Sequence, residues 1–259
     1  MRKIKQFLFR RPQFIGFLLP IAVALIWETL SRQGDAYAYT FVPLTQIAHS
    51  FLSLIKSGEL LVNLLATLQT TVIGLIIGGI AGLLVGGLMA VSPTADKLIG
   101  PLYHTIRQVP LLGLIPLIAL WFGNGLFSKI LIVSLAAFYP IVLNTFEGMR
   151  GVEKKYIEVS SVFELNRLQL FYYVLLPAAM PSILTGVMQA LAFAWISTVG
   201  TELLFSTGPG LGGLMQVAQE ASRMDIVIIA VASIGLTGLL MNTGLSYASQ
   251  YLLRWRSVR

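Results

Sequence analysis

Cysteine is absent from the 259 residues. Disulfides, thiolate metal sites and cysteine nucleophiles are therefore excluded together. Histidine is nearly absent as well. His49 and His104 stand alone, neither with a ligand-type partner at helical spacing, so no metal site is expected. Charge is scarce: 11% of residues are Asp, Glu, Lys or Arg, against roughly a quarter in a soluble domain. So few charges cannot cover a water-facing surface, and most of the surface must face lipid or protein. No Walker A sequence occurs, so the chain does not hydrolyse ATP alone. There is no Ser/His/Asp constellation and no paired carboxylates within the apolar runs. A membrane-embedded enzyme has nothing here to work with.

What the sequence has is apolar length. Hydrophobic residues make up 56% of the chain, and the mean hydropathy is +0.81. A membrane helix needs about 20 apolar residues, and the gaps between charges supply them repeatedly. The uncharged runs are Pro12–Trp27 (extendable through Thr29 and Leu30), Leu60–Ala95, Gln108–Ser128, Ile130–Phe146, Leu168–Thr201 and Ile226–Leu253. They predict an all-α polytopic membrane protein with six transmembrane helices. Length alone allows one or two domains, but no soluble stretch is long enough for a second. The expectation is one transmembrane domain over 1–259, with a tail at 1–11, a core at about 60–253 and a charged loop at about 150–177.

The net charge of +7 sits at segment ends, which points to membrane orientation and not to nucleic acid. With the N-terminus inside, the inner segments hold Arg2, Lys3, Lys5, Arg10, Arg11, Lys97, Arg107, Arg150, Lys154, Lys155, Arg167, Arg254, Arg256 and Arg259. The outer segments hold Arg32, Lys56, Lys129 and Arg223. Fourteen basic residues against four place both termini in the cytoplasm. Arg10-Arg11, an apolar stretch and Ala36-Tyr37-Ala38 mimic a cleavable secretory signal. With five further apolar segments following, the adopted reading is a first transmembrane helix, with Tyr37 and Tyr39 at the interface.

Smaller features refine this layout. Leu44–Gly58 carries Ile47, Phe51, Leu54 and Ile55 at helical spacing, which predicts a short amphipathic helix on the outer surface. Ala66, Thr70, Gly74, Gly78, Gly82, Gly86 and Ala90 recur every four residues, giving the second span a flat face for close packing within the chain. Pro110, Gly113 and Pro116 interrupt the third span, as a passive kink or as a broken helix lining a path. Gln69, Gln108, Asn144, Gln189, Ser197 and Thr198 are polar groups within spans. Each serves as interhelix glue or as a path liner. Glu202, near the outer end of the fifth span, sits at the mouth of a pathway or reaches the interface. Gly208-Pro209-Gly210-Leu211-Gly212-Gly213 matches the dinucleotide fingerprint formally. No strand precedes it and no βαβ unit surrounds it, so it reads as a tight turn or re-entrant loop.

The inner loop Glu147–Pro177 holds most of the dense charge. Tyr156, Val159, Ser160 and Phe163 lie three to four apart, with Glu153, Lys154, Glu158 and Glu164 between them. This predicts a short amphipathic helix. It suits a groove on a soluble partner or the lipid headgroups. Its matched acidic and basic residues disfavour pure attraction to lipid, and so dense a charged loop argues against an ATPase-independent channel or ion-coupled transporter.

That loop resembles the EAA loop of ABC importer permeases, whose pattern is E-A-A-x-x-x-G, nine residues, then I-x-L-P. Glu158 takes the glutamate place, and Val174-Leu175-Leu176-Pro177 takes the terminal place. Val159 and Ser160 replace the two alanines. Glu164 stands where the family has glycine, so the turn is expected to be wider or to be made by Asn166. The stretch Arg107-Gln-Val-Pro-Leu-Leu-Gly-Leu-Ile-Pro116-Leu-Ile-Ala-Leu-Trp121-Phe122-Gly123 is similar to the third-span signature of the nitrate/sulfonate/taurine branch. Ser128-Lys129-Ile130, Phe138-Tyr-Pro140, Asn144-Thr145, Leu176–Gly186 and Thr201-Glu202-Leu203-Leu204 fit that branch too. The likeness runs from about Leu60 to Trp255.

The resemblance implies a type I importer permease in the inner (plasma) membrane, paired with a second copy of itself. It implies cytoplasmic ABC ATPase subunits, which hold the ATP and Mg, and a periplasmic or lipid-anchored solute-binding protein. It implies ATPase coupling through Glu158, Val159, Ser160, Phe163, Glu164, Leu176 and Pro177, and no cofactor on this chain. The cargo it implies is a small anion of the aliphatic sulfonate, taurine or nitrate type, with bicarbonate or a thiamine precursor as alternatives.

Overall fold

The computed structural model describes residues 12–32, 41–205 and 208–256. The basic tail (Arg2, Lys3, Lys5, Arg10 and Arg11), the Ala36-Tyr37-Ala38 segment with Tyr39, and Arg259 lie outside the described residues. Among the described residues every regular element is helical. The order is α1 (Pro12–Ser31), α2 (Leu44–Lys56), α3 (Glu59–Val91), α4 (Pro93–Ile106), a 3-10 turn (Leu111–Leu114), α5 (Ile115–Phe122) and α6 (Leu126–Arg150). There follow α7 (Lys154–Val162), α8 (Arg167–Leu170), a π turn (Phe171–Leu175), α9 (Leu176–Phe205), α10 (Leu211–Glu220), α11 (Met224–Leu252) and a final 3-10 turn (Arg254–Arg256).

The core is a three-helix sandwich of α3, α6 and α9. Its closeness follows from the four-residue glycine stripe. A Cβ on Gly82 would lie 2.9 Å from Ile141 Cγ2, and one on Gly86 would lie 2.6 Å from the Val142 carbonyl oxygen. On Gly78 it would strike the Ser134 carbonyl outright. The stripe is therefore buried against α6 within one chain, while Ile76, Ile77, Ile80, Leu84 and Leu88 on the other side of α3 stay exposed. On the far side of α6, Gly186 of α9 fits over Asn144 and Gly148 of α6 fits over Ser182. Val133, Ala137, Ile141, Ala190 and Ala194 fill the centre. Small residues let the backbones approach, and dispersion across that contact holds them without help from water.

Four helical stretches are long and apolar enough to cross a membrane: α3, α6, the run 168–205 and α11. The pair α4 and 111–122 makes a fifth if it crosses as one unit, bent by 85°. A straight span over Gln108–Ser128 does not form. Pro110 has no N–H to donate, and α4 stops at Ile106, four residues before it. Pro116 opens α5, where a missing N–H costs nothing. Gly123, at φ 78°, then reverses the chain into α6. Consequently Ser128 and Lys129 belong to α6, and Lys129 is not an outer-loop cation: it is 4% exposed. The second span also ends earlier than Ala95, because Ser92 caps α4 by accepting from the Ala95 N–H at 3.3 Å and Pro93 begins it.

The amphipathic helix after the first span forms as α2, held at its start and at its middle. Glu28 of α1 accepts from the Leu44 N–H at 3.0 Å, filling an orphan donor of the first turn. Further along, Ser50 is buried, and its hydroxyl donates to Asp225 at 2.5 Å. Arg223 grips the same carboxylate through Nε at 3.0 Å and Nη2 at 2.7 Å. The polar Ser50 thus faces the protein, while Phe51 and Ile55 remain exposed.

Candidate functional site: the inner loop and the polar groups of the spans

The loop expected to carry coupling begins where α6 ends. Arg150 donates to Asp96 at 2.9 Å and lies over the Phe146 ring, tying α6 to the first turn of α4. Lys155 pairs with Glu153, whose carboxylate raises the lysine pKa above its usual value. Helix α7 then presents Tyr156, Val159, Val162 and Phe163 outward. Val162 is 81% exposed and Phe163 73%. Glu158 is exposed beside them. Ser160 turns inward and is buried, its hydroxyl donating to the Ile157 carbonyl at 2.6 Å. Helix α7 thus carries apolar side chains on an exposed helix flanked by charges.

The turn after α7 is made by Glu164 itself, not by Asn166. Glu164 has φ 50°, in the left-handed region. Its N–H donates to the Ser161 carbonyl at 3.1 Å, and the Leu165 N–H reaches back to the Ser160 carbonyl at 3.2 Å. These two bonds are the Schellman arrangement, whose left-handed position is usually glycine. Glu164 therefore adopts the geometry of the glycine it replaces, at a strain of roughly 1–2 kcal/mol. Asn166 has another task. Its side chain accepts from the Gln169 N–H, and Gln169 accepts from the Asn166 N–H, each at 2.9 Å, a reciprocal cap for α8.

Leu176 and Pro177 sit half-buried where the loop rejoins the core. Leu176 packs on the cluster of Met149, Leu175, Ala179 and Ile183. The ladder widens into the π turn one turn before Pro177, whose missing N–H leaves the Tyr173 carbonyl without its usual donor. The loop thereby has a rigid base in the spans and an exposed tip.

The polar groups of the spans divide into distinct sets. Gln69 on α3 and Gln108, in the turn after α4, are exposed and apart. Asn144 and Gln189 are brought together across α6 and α9, with Asn144 Nδ2 donating to Gln189 Oε1 at 3.0 Å. Ser197 and Thr198 are buried; the Thr198 hydroxyl accepts from Thr71 at 2.9 Å, joining α9 to α3.

Glu202 is 2% exposed and works as a clamp. Its Oε2 accepts from the Gly212 N–H at 2.9 Å and the Thr67 hydroxyl at 3.0 Å. Lys129 of α6 is near enough to act on it electrostatically. Asn63 accepts from the Gly210 N–H and Thr67 from the Leu211 N–H, both at 2.8 Å. Side chains of α3 and α9 thus satisfy the N–H groups of Gly210, Leu211 and Gly212 at the start of α10. This explains the glycines: a Cβ on Gly210 would enter the Glu202 carboxyl group, and one on Gly212 would lie 2.7 Å from the Val199 carbonyl oxygen. The fingerprint-like motif does cradle an anion at a helix N-terminus, but the anion is the chain's own carboxylate. Sequence reading missed Asn63, Thr67 and Lys129. An Asn-x-x-x-Thr pair one turn apart on a span was the available signal.

Among the described residues no cluster of three or more metal-ligating side chains occurs.

Residues 74–257 match the sequence profile of the family described as binding-protein-dependent transport system inner membrane component. The chain is 34% identical over 242 residues to the putative aliphatic sulfonates transport permease protein SsuC of Bacillus subtilis, covering 93% of this chain and 87% of that protein. It is 34% identical over 193 residues to the taurine transport system permease protein TauC of Escherichia coli, covering 74% and 70%. Among solved structures it is similar to a chain of an amino acid ABC transporter crystallised with histidines. The TM-score is 0.64 at 20% identity, over 78% of this chain and 98% of that one, which speaks to the fold.

Proposed function

The chain belongs to the binding-protein-dependent transport family of inner-membrane components, and on that premise we propose that it is a permease driven by a separate cytoplasmic ATPase. The observation that carries this is α7, an exposed helix with outward Val159, Val162 and Phe163, ringed by charge and set on a firm base. A groove on the ATPase takes its apolar face, and Glu158 fixes its register. Closure of the ATPase pair on ATP moves α7, and the packing of Leu176 on the Met149, Leu175, Ala179 and Ile183 cluster passes that motion to α6 and α9 as a rigid-body shift. Hydrolysis and its Mg belong to the partner.

Two copies of this chain form the path, and an external binding protein delivers the solute. Helix α1 provides the sixth span, which puts both termini on the side of α7. The cargo is a small oxyanion of the sulfonate, taurine or nitrate class. The sulfonate and taurine relatives support this. Ligand binding to the partner binding protein measures the substrate directly.

The test of coupling is Glu158→Lys. The variant is expected to reach the membrane in normal amount and to lose co-purifying ATPase. Retention of the ATPase at the wild-type ratio would refute the coupling role of α7.

A further inference from the structure

One pair of amides in the spans has a polarity that its surroundings impose. Asn144 Nδ2 lies 2.8 Å from the Pro140 carbonyl oxygen. A backbone carbonyl only accepts, so the nitrogen of the Asn144 amide must point there. The second hydrogen of that nitrogen goes to Gln189 at 3.0 Å, and only an oxygen can receive it. Gln189 must therefore turn Oε1 inward and Nε2 outward. The orientation follows from the network, even though the two ends of an amide look alike. The contact depends on Gly186, where any side chain would hold α9 away from α6: a Cβ there would lie 2.7 Å from Asn144 Cβ.

The result is a pair of N–H donors on an exposed side chain between two spans. The site lies six residues, or about 9 Å, from the α7 end of α6. Unpaired amide hydrogens cost several kcal/mol against hydrocarbon, so this face belongs to a wet path or to a protein partner. On α6 and α9, the charged residues within two turns of the pair are Glu147 and Arg150, and Arg150 is bound to Asp96. An uncharged double donor holds an oxyanion weakly enough to release it, whereas a buried lysine or arginine would trap it.

We propose that Gln189, polarised by Asn144, is a transient oxyanion subsite on the translocation path. This rests on the permease reading above and names the group that selects for negative oxygen. Asn144 is a positioning residue: it acts through Gln189.

The test uses the full complex in proteoliposomes, with taurine, ethanesulfonate and nitrate as probes. Asn144→Asp keeps a hydrogen bond between α6 and α9 but offers only acceptors. Gln189 must then flip and present Oε1 to the path. Uptake is expected to fall at least tenfold with the complex still assembled. The change also loses the bond to the Pro140 carbonyl and adds a charge, so assembly is measured beside uptake, and Gln189→Leu reads the subsite without a new charge. Gln189→Leu, which suits hydrocarbon, is the second variant, and it is also expected to lose uptake at least tenfold while remaining assembled. Uptake within twofold of wild type in either assembled variant overturns the subsite alone. A Gln189→Leu chain that no longer self-associates overturns it too, by making the amide an interface contact. Absence of ATP-driven uptake of every probe by the wild-type complex overturns the permease reading for this substrate class, and the subsite with it.

Discussion

The carboxylate of Glu202 accepts a hydrogen bond from the backbone N–H of Gly212 at 2.9 Å, so the fifth apolar run holds down the helix that follows it. That contact needs close backbone approach, and the approach needs residues without side chains. Gly210→Ala places a methyl group inside the Glu202 carboxyl and is expected to cost about 1–3 kcal/mol. Glu202→Gln offers one acceptor oxygen where the carboxylate offers two, and is expected to cost about 1–3 kcal/mol. Thermal unfolding in detergent measures both. A melting temperature equal to wild type in Gly210→Ala would show that α10 is not seated on Glu202.

Glu164 carries left-handed strain at the end of α7. Glu164→Gly removes it, offset by the extra freedom of glycine in the unfolded chain. The net expectation is a gain of roughly 0.5–1 kcal/mol, read as slower amide exchange from Val162 to Leu165. Glu164→Val should move the other way, because a β-branched residue tolerates positive φ worst. Faster exchange in the glycine variant would contradict the Schellman geometry.

The glycine stripe makes a stronger demand. Gly78→Leu drives a side chain into the Ser134 carbonyl, and Gly82→Leu drives one into Ile141 and the Phe138 carbonyl. Each is expected to lower the yield of folded protein severalfold and to reduce its thermal stability. Ile80→Leu, on the exposed side of α3, is the matched control and should behave as wild type. Equal stability of the Gly78 and Gly82 variants would mean that α3 and α6 are not in backbone contact.

Asp225 joins α2 to α11 through Ser50 and Arg223. Asp225→Ala removes the shared acceptor and is expected to cost about 1.5–3 kcal/mol, the range for hydrogen bonds to charged groups. Ser50→Ala removes one partner and should cost less, about 1 kcal/mol. Limited proteolysis at residues 57–58, between α2 and α3, follows the loosening of α2. Unchanged cleavage in Asp225→Ala would exclude the clamp.

Much of the loop is legible in the amino-acid sequence alone. Periodicity places a short helix near Tyr156–Phe163, and α7 runs over Lys154–Val162. The family pattern singles out Glu164, but it does not reveal that a glutamate adopts the glycine conformation. Backbone dihedrals at one residue follow from the hydrogen bonds closing around it, here to Ser160 and Ser161. Periodicity does not report those.

Composition and spacing by themselves determined the membrane setting, the helical class, the amphipathic α2 and the flat face of α3. Each depends on residue type at a fixed local period, and local periods survive in one dimension. The partners of those features were decided only by the fold. Lys129 read as a loop cation and proved buried. Pro110 and Pro116 read as a kink or a break in one span; Pro110 proved to lie in the break between two pieces set at 85°, and Pro116 at the start of α5. Gly208–Gly213 read as a tight turn or re-entrant loop, and Gly210 and Gly212 within it proved to clear space for Glu202. In each case the outcome turned on which backbone group or charge lay across a contact between distant segments. Such contacts are set by three-dimensional packing, and no single stretch of sequence contains both of their sides.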